Sequence, residues 1–233
     1  MSFKKSLGLW MVLGLSVISH AQTSEEVKPV QIRAVLHDPI HPSANLFFED
    51  AAGKIVSLAF LPQDLTRTQL MRPVNDSLVF YDKAEVDPKK PEASLAATCK
   101  IPAGLKRGIV IVLPNAAGIK PAYRLLLIDD SAVAFPKGES RVLSLIAIET
   151  AIQAGEHRIP IHPGDFAKVP PVKKVNDYNT AQTSFYYKKD EAWLAFTERQ
   201  VQYLEGIRRI FIIHATPGAL QPTVMTIVDN APR

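Results

Sequence analysis

The sequence predicts an all-β protein: two β-sandwich units of immunoglobulin-like type behind a cleaved signal peptide. Three observations carry this. Eighteen prolines are spread along 233 residues, and proline is costly inside helices and confined to edges and turns in sheets. Apolar runs are short and broken by Pro, Gly, Asn and Asp, the punctuation of strands and turns. The N-terminus, finally, reads as a leader and not as part of a fold.

The leader has three parts. Lys4 and Lys5 make a positive start, Leu7 to Ser19 is apolar, and Ser19-His20-Ala21 places small residues at the two positions a signal peptidase reads. The apolar run is shorter than the roughly 20 residues a spanning helix needs. Residues 1–21 are therefore expected to be removed, with no membrane span afterwards and a periplasmic or extracellular location. Cleavage leaves about 210 residues, enough for one or two cores.

Strands are expected in order at Val30–Leu36, Leu46–Glu49, Ile55–Phe60, Leu70–Pro73, Ser77–Tyr81, Ala93–Lys100, Gly108–Leu113 and Tyr123–Asp129. Eight strands in about a hundred residues is the density of a sandwich. The runs "IVIVL" and "LLLI" lack alternation, which suits strands buried on both faces. A second set follows at Arg141–Ala147, Thr150–Ala154, His157–Ile161, Thr183–Lys188, Ala192–Thr197, Arg209–Ala215 and Thr223–Val228. "TERQVQYLEGI" has some helical spacing, but Gly206 interrupts it, and a strand or bend is expected. No repeat is legible at residue level.

These runs divide the chain into a first unit at 28–130 and a second at 138–229. Between them lies "DSAVAFPKG", where Pro136 has no amide to donate and Gly138 tolerates positive φ. Its apolar residues Ala132, Val133, Ala134 and Phe135 predict a packed linker, with Phe135 as the plug.

Charge excludes some partners. The formal net charge is +4, two of it in the leader. Basic residues occur only as pairs, among them Lys106-Arg107 and Arg208-Arg209, expected to be solvated; no nucleic-acid face is predicted. The single cysteine, Cys99, excludes an internal disulfide and is expected to be buried and reduced.

The search for chemistry yields weak constellations. His37, Asp38 and His41 lie in "HDPIHP", and His157, His162 and Asp165 in "HRIPIHPGD". A metal site from His37, His41, His157 and His162 is conceivable, but both stretches also read as proline turns with exposed imidazoles. Glu49-Asp50 and Asp129-Asp130 are adjacent carboxylates at strand ends, where Asp is an ordinary turn residue and neighbours point to opposite faces. Nucleophile-elbow, His-Glu-x-x-His and phosphate-loop motifs do not occur in the sequence. Tyr186, Tyr187 and Trp193 lie in an aromatic hairpin. One face of it is core, and the other could contact a polysaccharide or a protein.

"FPKGESRVLSL" at Phe135 to Leu145 and "IPIHPGDFAKV" at Ile159 to Val169 resemble a group of short exported bacterial β-sandwich proteins with an FPxGxxRxLxL strand. The likeness covers roughly residues 107–229, and "TSFYYKKDEAWLAFTERQ" matches the strand pair that follows. Ser144 stands where that group is expected to carry Asn. The resemblance implies a β-sandwich outside the cytoplasm and supplies no catalytic residue.

The functional expectation is an exported binding or structural module of the cell envelope, with another envelope protein or a polysaccharide as partner and no cofactor. The alternatives are a chaperone-like pair of sandwiches that lends a strand to partners, and a hydrolase or metal enzyme using the histidine loops. A membrane barrel is excluded because most runs are shorter than the 9–11 residues such strands need.

Overall fold

The computed structural model describes residues 28–37 and 44–230; the expected leader, Asp38 and His41 lie outside them. The described chain is all-β, with sixteen strands in four four-stranded sheets and one short 3₁₀ turn at Pro91–Ser94. None of its helices is long and apolar enough to cross a membrane.

Strands β1 (Val30–Leu36), β2 (Leu46–Glu49), β3 (Ile55–Leu58), β4 (Gln69–Met71), β5 (Ser77–Tyr81), β6 (Leu95–Lys100), β7 (Arg107–Pro114) and β8 (Tyr123–Asp129) build two sheets. Their orders are β4-β1-β7-β8 and β3-β2-β5-β6. Strands β9 (Ser140–Ser144), β10 (Thr150–Ala154), β11 (His157–Ile161), β12 (Phe166–Val169), β13 (Thr180–Lys189), β14 (Ala192–Gln202), β15 (Arg208–His214) and β16 (Thr223–Asp229) build the other two. Their orders are β12-β9-β15-β16 and β11-β10-β13-β14.

The second set repeats the first, strand for strand. Even the unusual parallel pairing recurs, β1 beside β7 and β9 beside β15. The register recurs too. The His37 amide donates to the Val112 carbonyl, and the Leu145 amide donates to that of Ile213, one residue past each first strand. A repeat that was not legible along the sequence is therefore present in the backbone pairing.

Three cores stack through the four sheets. Ile32, Ala34, Val110 and Val112 of one face of β1 and β7 pack with Leu46, Phe48, Leu78 and Phe80. The opposite face, Val35, Ile109, Ile111 and Leu113, packs with Leu143, Ile210, Ile212 and Ile227 of the second half. Val142, Phe211 and Ile213 then face Ile152, Ile161 and Phe185 in the third core. The central strands are buried on both faces, which explains why "IVIVL" and "RIFIIH" do not alternate.

Some expectations need correction. Phe166–Val169 is a strand that the turn-rich "HPGDFAKV" hid. Of the strand or bend expected after Thr197, the structure has the strand, with residues 197–202 continuing β14, while β9 stops at Ser144 and not at Ala147. The linker is not apolar packing throughout: Val133 is 93% exposed, and only Phe135 of that run is buried. Its backbone closes as a turn, the Phe135 amide donating to Ser131 O at 2.9 Å. Gly138 takes the positive φ of 78° that its position demands.

Cys99 is half-buried, not fully buried, and packs beside the first core opposite Leu78. Burial pushes its thiol up to about 11. Because the thiolate is the nucleophile, a thiol dye at pH 7.5 is expected to label native Cys99 slowly and the denatured chain fast. Equal rates would show that the thiol is not shielded.

Candidate functional site

The seam between the halves holds two features: a buried ionic cluster and an open cleft. The cluster forms because each half ends its inner hairpin with the same pair. Asp130 donates its amide to Arg107 O, and Arg208 stands opposite Asp229. Arg33, on the seam face of β1, bridges the two ends. It donates to Asp229 Oδ1 at 2.6 Å and to Asp130 Oδ2 at 2.9 Å. Arg208 donates to Asp130 Oδ1 at 2.6 Å, to the Asp229 carboxylate and to Phe135 O at 2.8 Å. All four side chains are buried. Two guanidiniums against two carboxylates leave no net charge, the condition for burying ions at all. Burial would raise the Asp229 carboxyl, but hydrogen bonds and charge from Arg33 and Arg208 outweigh it and hold it below the usual range. The solvated-pair reading of Arg208-Arg209 is overturned, since both are buried. Asp130 is likewise a cluster member and not a turn residue. Asp129 does play the turn role, accepting the Ser131 amide at 2.8 Å.

The cleft opens at the other end of β1 and β15, with a volume of about 470 Å³. His37, Gln63, Arg199, His214, Met225 and Thr226 supply its polar and soft atoms. His37 Nδ1 lies 3.2 Å from Met225 Sδ, and its ring meets that of His214 edge-on with centroids 4.5 Å apart. Thr223 Oγ1 stands 3.1 Å from His214 Nε2. Burial pushes the His214 imidazole down, favouring the neutral ring. Arg199 passes over Phe185 and Phe211 and donates to Thr226 Oγ1 at 2.6 Å. At the topologically equivalent strand ends of the duplication stand Leu145 and Leu113, so this polar pair belongs to one copy only.

The sequence-level histidine candidates part company here. His37 joins His214, which ends β15 and lies in neither histidine loop. His157 lies 3.4 Å from Glu156 and 3.3 Å from Pro171 O, and His162 lies 3.4 Å from Glu149. Among the described residues no group of three or more His, Cys, Asp or Glu could hold one ion. The signal missed was thioether plus imidazole from distant strands, which no spacing rule reports.

The aromatic hairpin divides as its pairing dictates. A register shift between Phe185 and Tyr186 breaks strict alternation. Phe185 and Tyr187 turn toward Phe196, with centroids 6.3 and 6.0 Å away. Tyr186 lies under the Arg158 guanidinium, 5.5 Å from its ring centre, and Trp193 stands opposite Lys188. Tyr186, Tyr187 and Trp193 are all half-buried.

No protein-family model matches the chain, and no curated protein matches it.

Proposed function

We propose that this chain is an exported binding module of the cell envelope, built from two immunoglobulin-like sandwiches, whose ligand enters the seam cleft. The proposal places it with the exported proteins that share the FPxGxxRxLxL strand. The observation that carries it is the cleft itself, a concave site where the two halves converge polar groups beside Leu36, Leu61 and Val224. Such sites between domains are where ligands bind by preference. The export half of the reading rests on Lys4, Lys5 and the apolar run to Ser19.

The test uses the exported chain, its intact mass first confirming loss of residues 1–21. Immobilised protein is expected to retain an envelope component that Val224→Arg, which fills the cleft, no longer retains. Retention unchanged by Val224→Arg would reject the cleft as the site.

Strand lending to a partner is the second reading, and one observation favours it. β14 is an 11-residue strand at the end of its sheet, paired with β13 alone among the described strands. A long edge offers a row of backbone groups to another chain.

A further inference from the structure

We infer that His37, Met225 and His214 form a site for a soft monovalent metal ion, Cu(I) in the first instance. This inference rests on the cleft being the binding site and names its ligand class. The donors come from three strand regions, the end of β1, the end of β15 and the middle of β16, so only the folded two-half structure assembles them.

The donor set is chemically selective. It holds two imidazole nitrogens and one thioether sulfur, and among the described residues no Asp or Glu lines the cleft. Thioether ligands select Cu(I), imidazole suits copper, and carboxylate and carbonyl oxygens suit Mg, Ca and Mn. A neutral donor set leaves a monovalent ion with one net charge, where a divalent ion would keep two. Arg199 lines the same cleft, and its guanidinium repels the divalent ion twice as strongly.

The geometry is close to what an ion needs. Nitrogen and sulfur ligands sit about 2.0 and 2.3 Å from a first-row ion, so the 3.2 Å between His37 Nδ1 and Met225 Sδ must open by only about half an ångström. Both side chains are nearly buried, at 5% and 9% exposed, which protects a bound ion from solvent while leaving the cleft as the way in. His214 supplies the third ligand. Its Nδ1 lies 3.3 Å from Ala215 O. Hydrogen on that nitrogen, the outer-shell arrangement that orients metal-binding histidines, leaves Nε2 as acceptor of the Thr223 hydroxyl at 3.1 Å, a contact the ion must displace. Leu113 and Leu145 at the equivalent strand ends show that packing alone does not require a His pair.

The test is a competition assay in the Cys99→Ser background, which removes the one thiol that would bind the same ions. Cu(I) is offered to the leader-free protein against a chromogenic Cu(I) chelator. One equivalent is expected to be retained, with Zn(II) failing to displace it. Met225→Leu keeps the side-chain volume and is expected to weaken retention at least tenfold, as is His214→Phe, because even an outer-shell partner is worth 10–100-fold. A second readout uses Ag(I), which has the same charge and taste for sulfur but no accessible second oxidation state here. Without the leader the chain has two methionines, Met71 and Met225. In a methionine-methyl spectrum Ag(I) is expected to shift Met225 and leave Met71, deep in the first core, as the internal reference. No retention of Cu(I), retention undiminished in Met225→Leu, or equal shifts of both methyls would overturn the site. The broader cleft reading has its own result in Val224→Arg capture, which does not depend on these outcomes.

Discussion

Asp229→Asn is expected to cost about 3–5 kcal/mol of unfolding free energy, the loss that follows when one partner of a buried ion cluster is removed. The substitution keeps the volume and takes away the charge. Arg33 and Arg208 would then share Asp130 as the one remaining carboxylate of the cluster, leaving a buried positive charge uncompensated. Urea unfolding followed by fluorescence reads this directly. A loss below about 1 kcal/mol would mean that the cluster is wetter or looser than the 2.6 Å contacts indicate.

The pH dependence has a definite sign. Arg33 and Arg208 hold the Asp229 carboxyl below its unfolded value. Its contribution is therefore complete above the unfolded carboxylate value, about pH 4, and is lost as pH falls through the lower folded value. The native protein is expected to lose stability as pH falls below about 4, and Asp229→Asn to flatten that acid segment. Replacing Arg33, Arg208, Asp130 and Asp229 together with apolar residues of similar size is expected to be far milder than the single change, since buried ion clusters often exchange for packing at little net cost. The cluster then serves to specify how the halves meet more than to stabilise them.

Much of the strand order was legible because period and punctuation act locally. Val30–Leu36, Ser77–Tyr81, Tyr123–Asp129 and His157–Ile161 fall where their apolar runs and flanking turn residues place them. β12 was not, because "FAKV" is short and follows a Pro-Gly turn that dominates its neighbourhood. The cluster was illegible for a different reason. Arg208 and Asp229 look like ordinary strand-end charges, and only the pairing of β15 with β16 and the approach of β1 from 175 residues earlier turn them inward. The His37–His214 pair fails the same way, being set by tertiary approach and not by sequence spacing. The duplication was hidden because a repeated register needs repeated polarity, and not repeated residues: β7 reads "RGIVIVLP" and β15 "RRIFIIH".

Phe135→Ala is expected to destabilise by about 3–5 kcal/mol, the range for emptying a fully buried Phe site. Phe135 is 0% exposed and lies in the core that joins the halves, with Leu143, Ile210 and Ile227. Its loss is not only of apolar area. The Arg208 guanidinium sits 4.3 Å from the ring centre and that of Arg141 5.1 Å, so the ring is a wall of the ionic cluster. Removing it opens space beside charges that depend on exclusion of water for their strength. Phe135→Leu separates the two effects. It keeps most of the packing and removes the π face, worth roughly 0.5–2 kcal/mol for desolvated cation–π contacts. The residue also holds the cluster through its backbone, Phe135 O accepting from Arg208 Nη1, and neither substitution touches that bond. Both variants lose the π face, so the excess of the Phe135→Ala loss over that of Phe135→Leu reads the packing and cavity term. Because the ring bridges the seam, the alanine protein is expected to melt in two resolved steps where the parent melts in one. A single transition at the parent temperature would show that the seam is held without this side chain.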